Sequence, residues 1–417
     1  MNTKNRFNWN FSLLVIIILS MKFSLIFSVT KFTYPSAVTL KNGNILVIHK
    51  TGVTICNLSY TNFDDIINFS ESEQISSEED LSKITLSQFA DGFTVAVVIN
   101  NIYIFDENGE FKSKSDNIFE PFPLEDFYYT LALQKKYNNS YYYILGAIID
   151  NSMDLLYYEY NSIKNTTSIL NRKSGYKDIY NENNLYQEFN ITNKGISCQF
   201  MNSDTDETLL CVYLVVNSSD ISYLTSNFMH INDNNSIEPK FGNVHFGWNN
   251  FTIIKSSIGE NPSIVLFCYY DSNNPDITPR CFALSFINNG IGIYSHIAYP
   301  YKCKNNYFSF KVNYISESEE IVYSCLTDYR GIQLGFYNKS IEYKYFIYKY
   351  SECEKVYSYS LLYLNYSKEY YFLSDLMCQG TPIPYVKFFN EPAEEKSEKE
   401  EEEEEEEEEE MEEREEE

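Results

Sequence analysis

Pairs of short apolar runs, each split by a turn-forming break, recur along this chain, and that recurrence constrains the fold more than any other feature. Ile45 to Ile48 is followed, across Lys50-Thr51-Gly52, by Val53 to Cys56. The same device returns in Phe93 to Ile99 with Ile102 to Phe105, and in Tyr141 to Ile149 with Leu155 to Tyr160. It continues in Leu209 to Val216 with Ile221 to Leu224, and in Ile264 to Tyr270 with Cys281 to Phe286. The last two pairs are Ile321 to Leu326 with Ile332 to Tyr337, and Tyr370 to Leu376 with Ile383 to Phe389. Runs of β-branched and aromatic residues bounded by Gly, Asn, Asp and Pro read as β-hairpins.

The hairpins start at 45, 93, 141, 209, 264, 321 and 370, at intervals of 48, 48, 68, 55, 57 and 49 residues. Between them lie further apolar stretches, including Ile84 to Phe89, Tyr128 to Leu133, Phe251 to Ile254 and Phe308 to Tyr314, which we assign to the outer strands flanking the hairpins. One four-stranded sheet per period of about fifty residues is the pattern of a β-propeller. The spacing predicts an all-β ring of about seven four-stranded blades over residues 31–390. The ring would close if Thr33 to Leu40 completed the last sheet. The oversized interval contains Lys164 to Asn193, rich in Asn, Lys and Ser, and reads as a loop insertion on one face. Two β-sandwich domains of about 180 residues each would yield similar strands, but the persistence of the period favours the ring. Packing each sheet between two neighbours covers both faces, which explains why Tyr141 to Ile149 and Ile264 to Tyr270 are apolar throughout instead of alternating.

The two ends differ from this body. Lys4 and Arg6 precede the apolar run Phe11 to Leu19, and a second apolar stretch, Phe23 to Val29, follows Lys22. Residues 1–30 therefore read as a secretory signal peptide, with an uncleaved signal anchor as the alternative. The chain carries -27 formal charge, of which residues 391–417, with twenty Glu, hold -17, leaving -10 for the rest. That tail has no apolar surface to bury and repels itself, so it is expected to be disordered. A basic footprint for nucleic acid is absent.

A secretory route makes disulfides available. Eight of the nine cysteines fall between residues 198 and 378, and the spacing suggests sequential bridges Cys198–Cys211, Cys268–Cys281, Cys303–Cys325 and Cys353–Cys378, with Cys56 free. Eight cysteines allow 105 pairings, so this register is one among many. The same route makes ten Asn-x-Ser/Thr sequons acceptors for glycan: Asn57, Asn68, Asn138, Asn165, Asn190, Asn217, Asn234, Asn250, Asn338 and Asn365.

The chain shows no nucleophile elbow, no Gly-rich phosphate loop and no paired-His zinc motif. Its four histidines, His49, His230, His245 and His296, are scattered, and each is assigned a structural role. The pair Asp64-Asp65 reads as solvated surface. Asn202 to Glu207 begins like a calcium loop but lacks the turn glycine, and Tyr213 stands where a bidentate acid is needed. No cofactor or metal site is assigned. The expected function is that of a secreted or cell-surface binding protein that engages a protein or glycan through the loops of a β-propeller. A secreted hydrolase with acids or Tyr at the ring axis, and a structural coat component, are the alternatives. Contact with membrane is expected only through the N-terminal anchor.

Overall fold

The computed structural model describes residues 36–57, 63–75, 84–115, 129–134, 138–149, 151–176, 178–182, 185–202, 207–216, 222–239, 244–246, 251–257, 264–271, 280–287, 290–298, 310–315, 320–326, 331–337, 344–349, 355–364, 369–378 and 381–388. Side chains are described in the first three sheets, in part of the fourth, and at Ser360 and Leu362.

Among the described residues seven antiparallel sheets follow one another along the chain. Blade 1 comprises β1 (Ser36–Thr39), β2 (Ile45–His49), β3 (Gly52–Cys56) and β4 (Phe63–Asn68). Blade 2 comprises β5 (Ile84–Gln88), β6 (Thr94–Val98), β7 (Asn101–Phe105) and β8 (Phe111–Ser115). Blade 3 comprises β9 (Tyr129–Leu133), β10 (Ser140–Ile149), β11 (Ser152–Asn161) and β12 (Thr166–Tyr176). Blade 4 contains β13 (Asp178–Glu182), β14 (Leu185–Asn202), β15 (Glu207–Val216), β16 (Ser222–Ile231), β17 (Ile237–Pro239) and β18 (Val244–Phe246). Blade 5 comprises β19 (Phe251–Ser257), β20 (Ile264–Asp271), β21 (Arg280–Ile287) and β22 (Gly290–Ala298). Blade 6 comprises β23 (Phe310–Ile315), β24 (Glu320–Leu326), β25 (Gly331–Tyr337) and β26 (Lys344–Lys349). Blade 7 comprises β27 (Lys355–Leu364), β28 (Glu369–Cys378) and β29 (Thr381–Phe388).

All seven hairpins read from the sequence form as antiparallel pairs: β2/β3, β6/β7, β10/β11, β15/β16, β20/β21, β24/β25 and β28/β29. One strand from each blade faces its counterparts on both sides, in the order β1, β5, β9, β14, β19, β23, β27, and β27 returns to β1. This unbroken circuit is a closed seven-bladed β-propeller. It excludes two separate sandwiches, whose sheets would pack in pairs. The backbone N–H of Ala37 on β1 donates to Ser360 Oγ on β27 at 3.0 Å, across the closing seam.

The core follows from the two-residue period of a strand. On β10, Tyr141, Tyr143, Leu145, Ala147 and Ile149 pack with Val95, Val97, Ile102 and Ile104 of blade 2. The intervening Ile144 and Ile148 pack with Ile196, Cys198 and Leu209 of blade 4. The middle strands are apolar on both faces because each face belongs to a different interface. Blade 1 meets blade 2 in the same way, through Leu46, Ile48 and Val53 against Ala96, Val98 and Phe105. Gly146 on β10 marks a close approach of its two neighbouring strands within blade 3. A Cβ there would stand 2.8 Å from Thr130 Cγ2 and 3.0 Å from Leu155 Cδ2.

Four expectations need correction. Ser36–Thr39 of the proposed closing segment pairs with β2 in the first sheet, so closure is by packing and not by strand exchange. The last sheet accordingly has three strands among the described residues. The flanking stretches Ile84–Gln88 and Tyr129–Leu133 precede their hairpins and lie on the inner circuit. Lys164 to Asn193 is not a loop insertion: it supplies β12, the edge of blade 3, and the β13–β14 hairpin. Its Thr, Ile, Leu and Tyr residues sit well on a pleated edge, where polar side chains are tolerated on the solvent side. Residues 1–30 and 391–417 lie outside the described residues, and so does the circular seam beyond Ser360 and Leu362 as far as side chains are concerned.

Candidate functional site

The meander gives the ring two ends. One carries the β2–β3, β6–β7 and β10–β11 turns together with the connectors between blades; it is called here the hairpin end. The far end carries the first-to-second and third-to-fourth strand turns.

At the hairpin end the backbone is held from several directions. The connector after β4 docks on the blade 1 turn, with Phe69 N–H donating to Thr51 O at 2.9 Å and Ile75 N–H to Lys50 O at 3.0 Å. It contains a short 3-10 turn, Glu71–Glu73, capped by Ser70. Glu73 Oε2 accepts from Ser70 N–H at 2.9 Å and Ser70 Oγ at 2.6 Å. Its Oε1 reaches into blade 2, accepting from Asn101 Nδ2 at 2.8 Å and Tyr103 OH at 2.6 Å, and pairs with Lys114 Nζ at 2.8 Å. Burial alone would raise this carboxyl, but Lys114, Ser70 and Tyr103 outweigh it and hold the group down at about 2.

The neighbouring turn, Ile99-Asn100, joins β6 to β7, with Val98 paired to Asn101. A two-residue hairpin of this kind places glycine where φ must be positive. Here the position is Ile99, with φ of 56°. A β-branched residue in this region costs on the order of 1–3 kcal/mol. The turn is pinned on both sides: Tyr129 OH on the inner strand of blade 3 donates to Asn100 Oδ1 at 3.3 Å, and Asn101 is held by Glu73. One blade further on, Ile191 N–H of β14 donates to Asn151 O at 3.1 Å, so the β10–β11 turn is likewise tied to the next inner strand. Rigid turns, a strained non-glycine residue and half-exposed amides therefore converge at the hairpin end of blades 1 to 3.

Elsewhere several polar groups of the described interior hold strands together. His49 is buried at 3% exposure. Thr54 Oγ1 donates its proton to Asp65 Oδ1 at 2.9 Å, so His49 Nε2, 2.7 Å away, must be the donor to Thr54. In a nucleophilic relay the hydroxyl would donate to the imidazole; this chain runs the other way and bridges β2, β3 and β4. Asp65, taken from sequence as plain solvated surface, thus has a structural partner. Asp106 caps the turn after β7 through Asn108 and Glu110 N–H at 2.9 Å each, and pairs with Lys112 at 2.8 Å. Burial would raise its carboxyl, but Lys112 and the two amides lower it. Asp154 holds Arg172 Nη2 at 2.9 Å and Gly175 N–H at 2.8 Å. Asp91 accepts from Tyr141 OH at 2.8 Å. Cys56 is a free, buried thiol that burial pushes up to about 12, which makes it a poor nucleophile at neutral pH.

Of the expected bridges, Cys198–Cys211 is formed, joining residues directly opposite on β14 and β15. Cys268 and Cys281 occupy the same kind of register on β20 and β21. Cys325 lies on β24 and Cys378 ends β28, while their proposed partners Cys303 and Cys353 lie outside the described residues. Among the sequons, Asn138, Asn165 and Asn234 are exposed at the far end, Asn57 is half-exposed at the same end, and Asn68 is exposed at the hairpin end of β4. Asn190 lies within β14, opposite Val216. Asn217, Asn250, Asn338 and Asn365 lie outside the described residues, as do residues 203–206 of the calcium-like segment. Among the described residues no cluster of three or more His, Cys, Asp or Glu is arranged to hold a metal. The sequence carried no sign of the Glu73 latch, because its five donors come from three separate segments. The Ile99 turn was readable only as a break between two apolar runs.

No protein-family model matches the chain, and no curated protein matches it in sequence. Among solved structures it is similar to a Trypanosoma rangeli sialidase in complex with the inhibitor DANA, with a TM-score of 0.44 and 10% identity over 87% of this chain. The chain spans 55% of the length of that sialidase. An oligogalacturonate lyase from Vibrio parahaemolyticus gives a TM-score of 0.46 at 9% identity, covering 87% of this chain and 91% of the lyase. The WD40 domain of SCAP from fission yeast gives 0.38 at 8% identity, covering 87% of this chain and 88% of the domain. At these identities and TM-scores none of them bears on activity.

Proposed function

We propose that the chain is a binding protein of the secretory pathway, secreted or displayed at the cell surface, that engages a protein or glycan with the hairpin end of its propeller. The observation that carries this reading is the Ile99-Asn100 turn. A strained β-branched residue is retained where glycine would be free of cost, and the turn is held in place by Tyr129 and Glu73 from both flanks. Backbone strain that its surroundings maintain is a feature of ligand-contacting sites. Loops on a rigid ring provide recognition without a large ordering cost on binding. The apolar N-terminus and the cysteine-rich second half supply the secretory part of the reading.

The hydrolase alternative needs acids that face a substrate. The acids named above instead accept hydrogen bonds from neighbouring strands or turns.

The test uses the full chain carrying a photo-crosslinking residue at position 100 or, as a control at the far end, at position 164. Irradiation on intact cells, followed by mass spectrometry, is expected to capture a discrete partner from position 100 and not from 164. A glycan array read with the same protein covers sugar ligands. Ile99→Gly is expected to stabilise the chain by about 1 kcal/mol and to weaken capture. Equal capture from both positions, or turnover of a glycoside panel, would overturn the reading.

A further inference from the structure

The ten sequons are equivalent in sequence, but the fold sets two of them apart. Asn138 lies in the turn between β9 and β10, and Asn165 in the turn between β11 and β12. Both are exposed, and both adopt the left-handed conformation, with φ of 53° and 51°. Asn tolerates that conformation far better than most residues. The two turns form one unit: Ser162 donates to Asn139 O through both N–H and Oγ, each at 2.9 Å. Between the two sequons stands Ile163, 73% exposed, the most exposed large apolar side chain among the described residues. Tyr160 OH donates to Asn165 Oδ1 at 2.9 Å, which fixes the amide through its oxygen and leaves Nδ2 as the other arm.

We propose that Asn138 and Asn165 both carry N-linked glycans, and that the pair forms a sugar cap over Ile163 at the far end of blade 3. This deepens the secretory reading above and rests on it. The transfer joins Asn Nδ2 to C1 of a sugar, breaks the C1–oxygen bond to a lipid pyrophosphate donor, and releases one amide proton with the pyrophosphate leaving group. It takes place on the entering, unfolded chain, so the burial of Ser140 in the folded sheet is no obstacle to recognition of its sequon. What the fold decides is which glycans can be kept. A bulky hydrophilic chain is compatible with an exposed turn. The consequence is that sugar screens the far end of blade 3.

The experiment expresses the full chain in a eukaryotic secretory host, once with its own N-terminus and once with a cleavable heterologous leader in its place. Enzymatic deglycosylation in heavy-oxygen water, then peptide mass spectrometry, reads occupancy site by site. Mass-labelled Asp at both 138 and 165 is expected. Occupancy elsewhere with 138 or 165 empty would overturn the proposal while leaving the secretory reading intact. A chain modified only with the heterologous leader would overturn the secretory reading and leave the sugar cap standing. The second readout is the exposure of Ile163. Asn138→Asp/Asn165→Asp keeps the left-handed turns and the Tyr160 acceptor but removes both sequons. It is expected to bind a hydrophobic dye at least twofold more strongly than the glycosylated protein, and Ile163→Ser in that background is expected to reverse the gain. An unchanged dye signal in the double variant would refute the cap.

Discussion

Replacing Glu73 by Gln should reveal how much of the ring's cohesion rests on one carboxylate. Glu73 Oε1 accepts from Asn101, Tyr103 and Lys114, and Oε2 accepts from Ser70 twice. All five partners are donors, so a Gln amide must turn its own N–H groups towards two or three of them. The folded protein holds the Glu73 carboxyl at about 2 against an ordinary 4.5. At 1.36 kcal/mol per unit that difference is worth about 3 kcal/mol at neutral pH. Lys114 is 36% exposed at its side chain, so its share is screened, and a loss of about 2 kcal/mol is the better expectation. Because the folded group is more acidic than the unfolded one, its contribution is fully present above about 4.5 and disappears as pH falls towards 2. Urea unfolding of both proteins at several pH values reads this directly. The gap in midpoint should be constant from pH 7 to about pH 5 and close by about pH 2, where protonated Glu and Gln become equivalent. A gap below about 1 kcal/mol at pH 7, or one that does not change between pH 5 and pH 2, would show that the network is not a charge-based latch.

Three further outcomes follow from the packing and the chain's ends. Gly146→Ala should lower stability by about 1–3 kcal/mol in thermal unfolding, because the new methyl meets Thr130 Cγ2 at 2.8 Å; an unchanged melting temperature would mean that the Thr130 side chain on β9 does not approach Gly146 as closely as described. Non-reducing peptide mapping should recover Cys198–Cys211 and also Cys268–Cys281, with removal of the first costing about 3 kcal/mol; a bridge to Cys56 would contradict its burial as a free thiol. Deleting residues 393–417 should leave the melting temperature unaltered in dilute buffer and in high salt alike, whereas a loss confined to dilute buffer would mean that the tail docks on a basic surface such as Lys164 to Lys177.

The blades were legible because their middle strands are apolar on both faces. Tyr141 to Ile149 stands out in sequence since every residue enters one of two interfaces. The edge strands were not, because only one side of an edge is packed. Thr166–Tyr176 alternates exposed and half-exposed residues, so its composition resembles that of a loop. Closure was misassigned for a related reason. Ser36–Thr39 is short and only half-buried, and nothing in its four residues distinguishes pairing with β2 from pairing across the seam. At the candidate site, Ile99 looked like the end of a strand, since a positive φ leaves no compositional trace when the residue is not glycine. The free state of Cys56 was anticipated by elimination, and its place opposite Ile45, inside blade 1, gives the physical reason: the strand shields it.

Hydrogen bonds join neighbouring blades at both ends of the ring, and the hairpin end adds the strained turn at Ile99. At the hairpin end, Ile191 N–H donates to Asn151 O and Tyr129 OH to Asn100 Oδ1 across neighbouring blades, while Ile75 in the connector donates to Lys50 of blade 1. Such bonds set the positions of neighbouring turns relative to each other, which is what a preorganised recognition surface requires. At the far end, Lys41 N–H donates to Glu107 O and Tyr141 OH donates to Asp91 across neighbouring blades, while Ser162 to Asn139 and Tyr160 to Asn165 stay within blade 3. The strain at Ile99 then has a place in the same scheme. It is tolerated where the flanking blades already hold the backbone, and it is tolerated at the end that the exposed sequons of blade 3 leave uncovered.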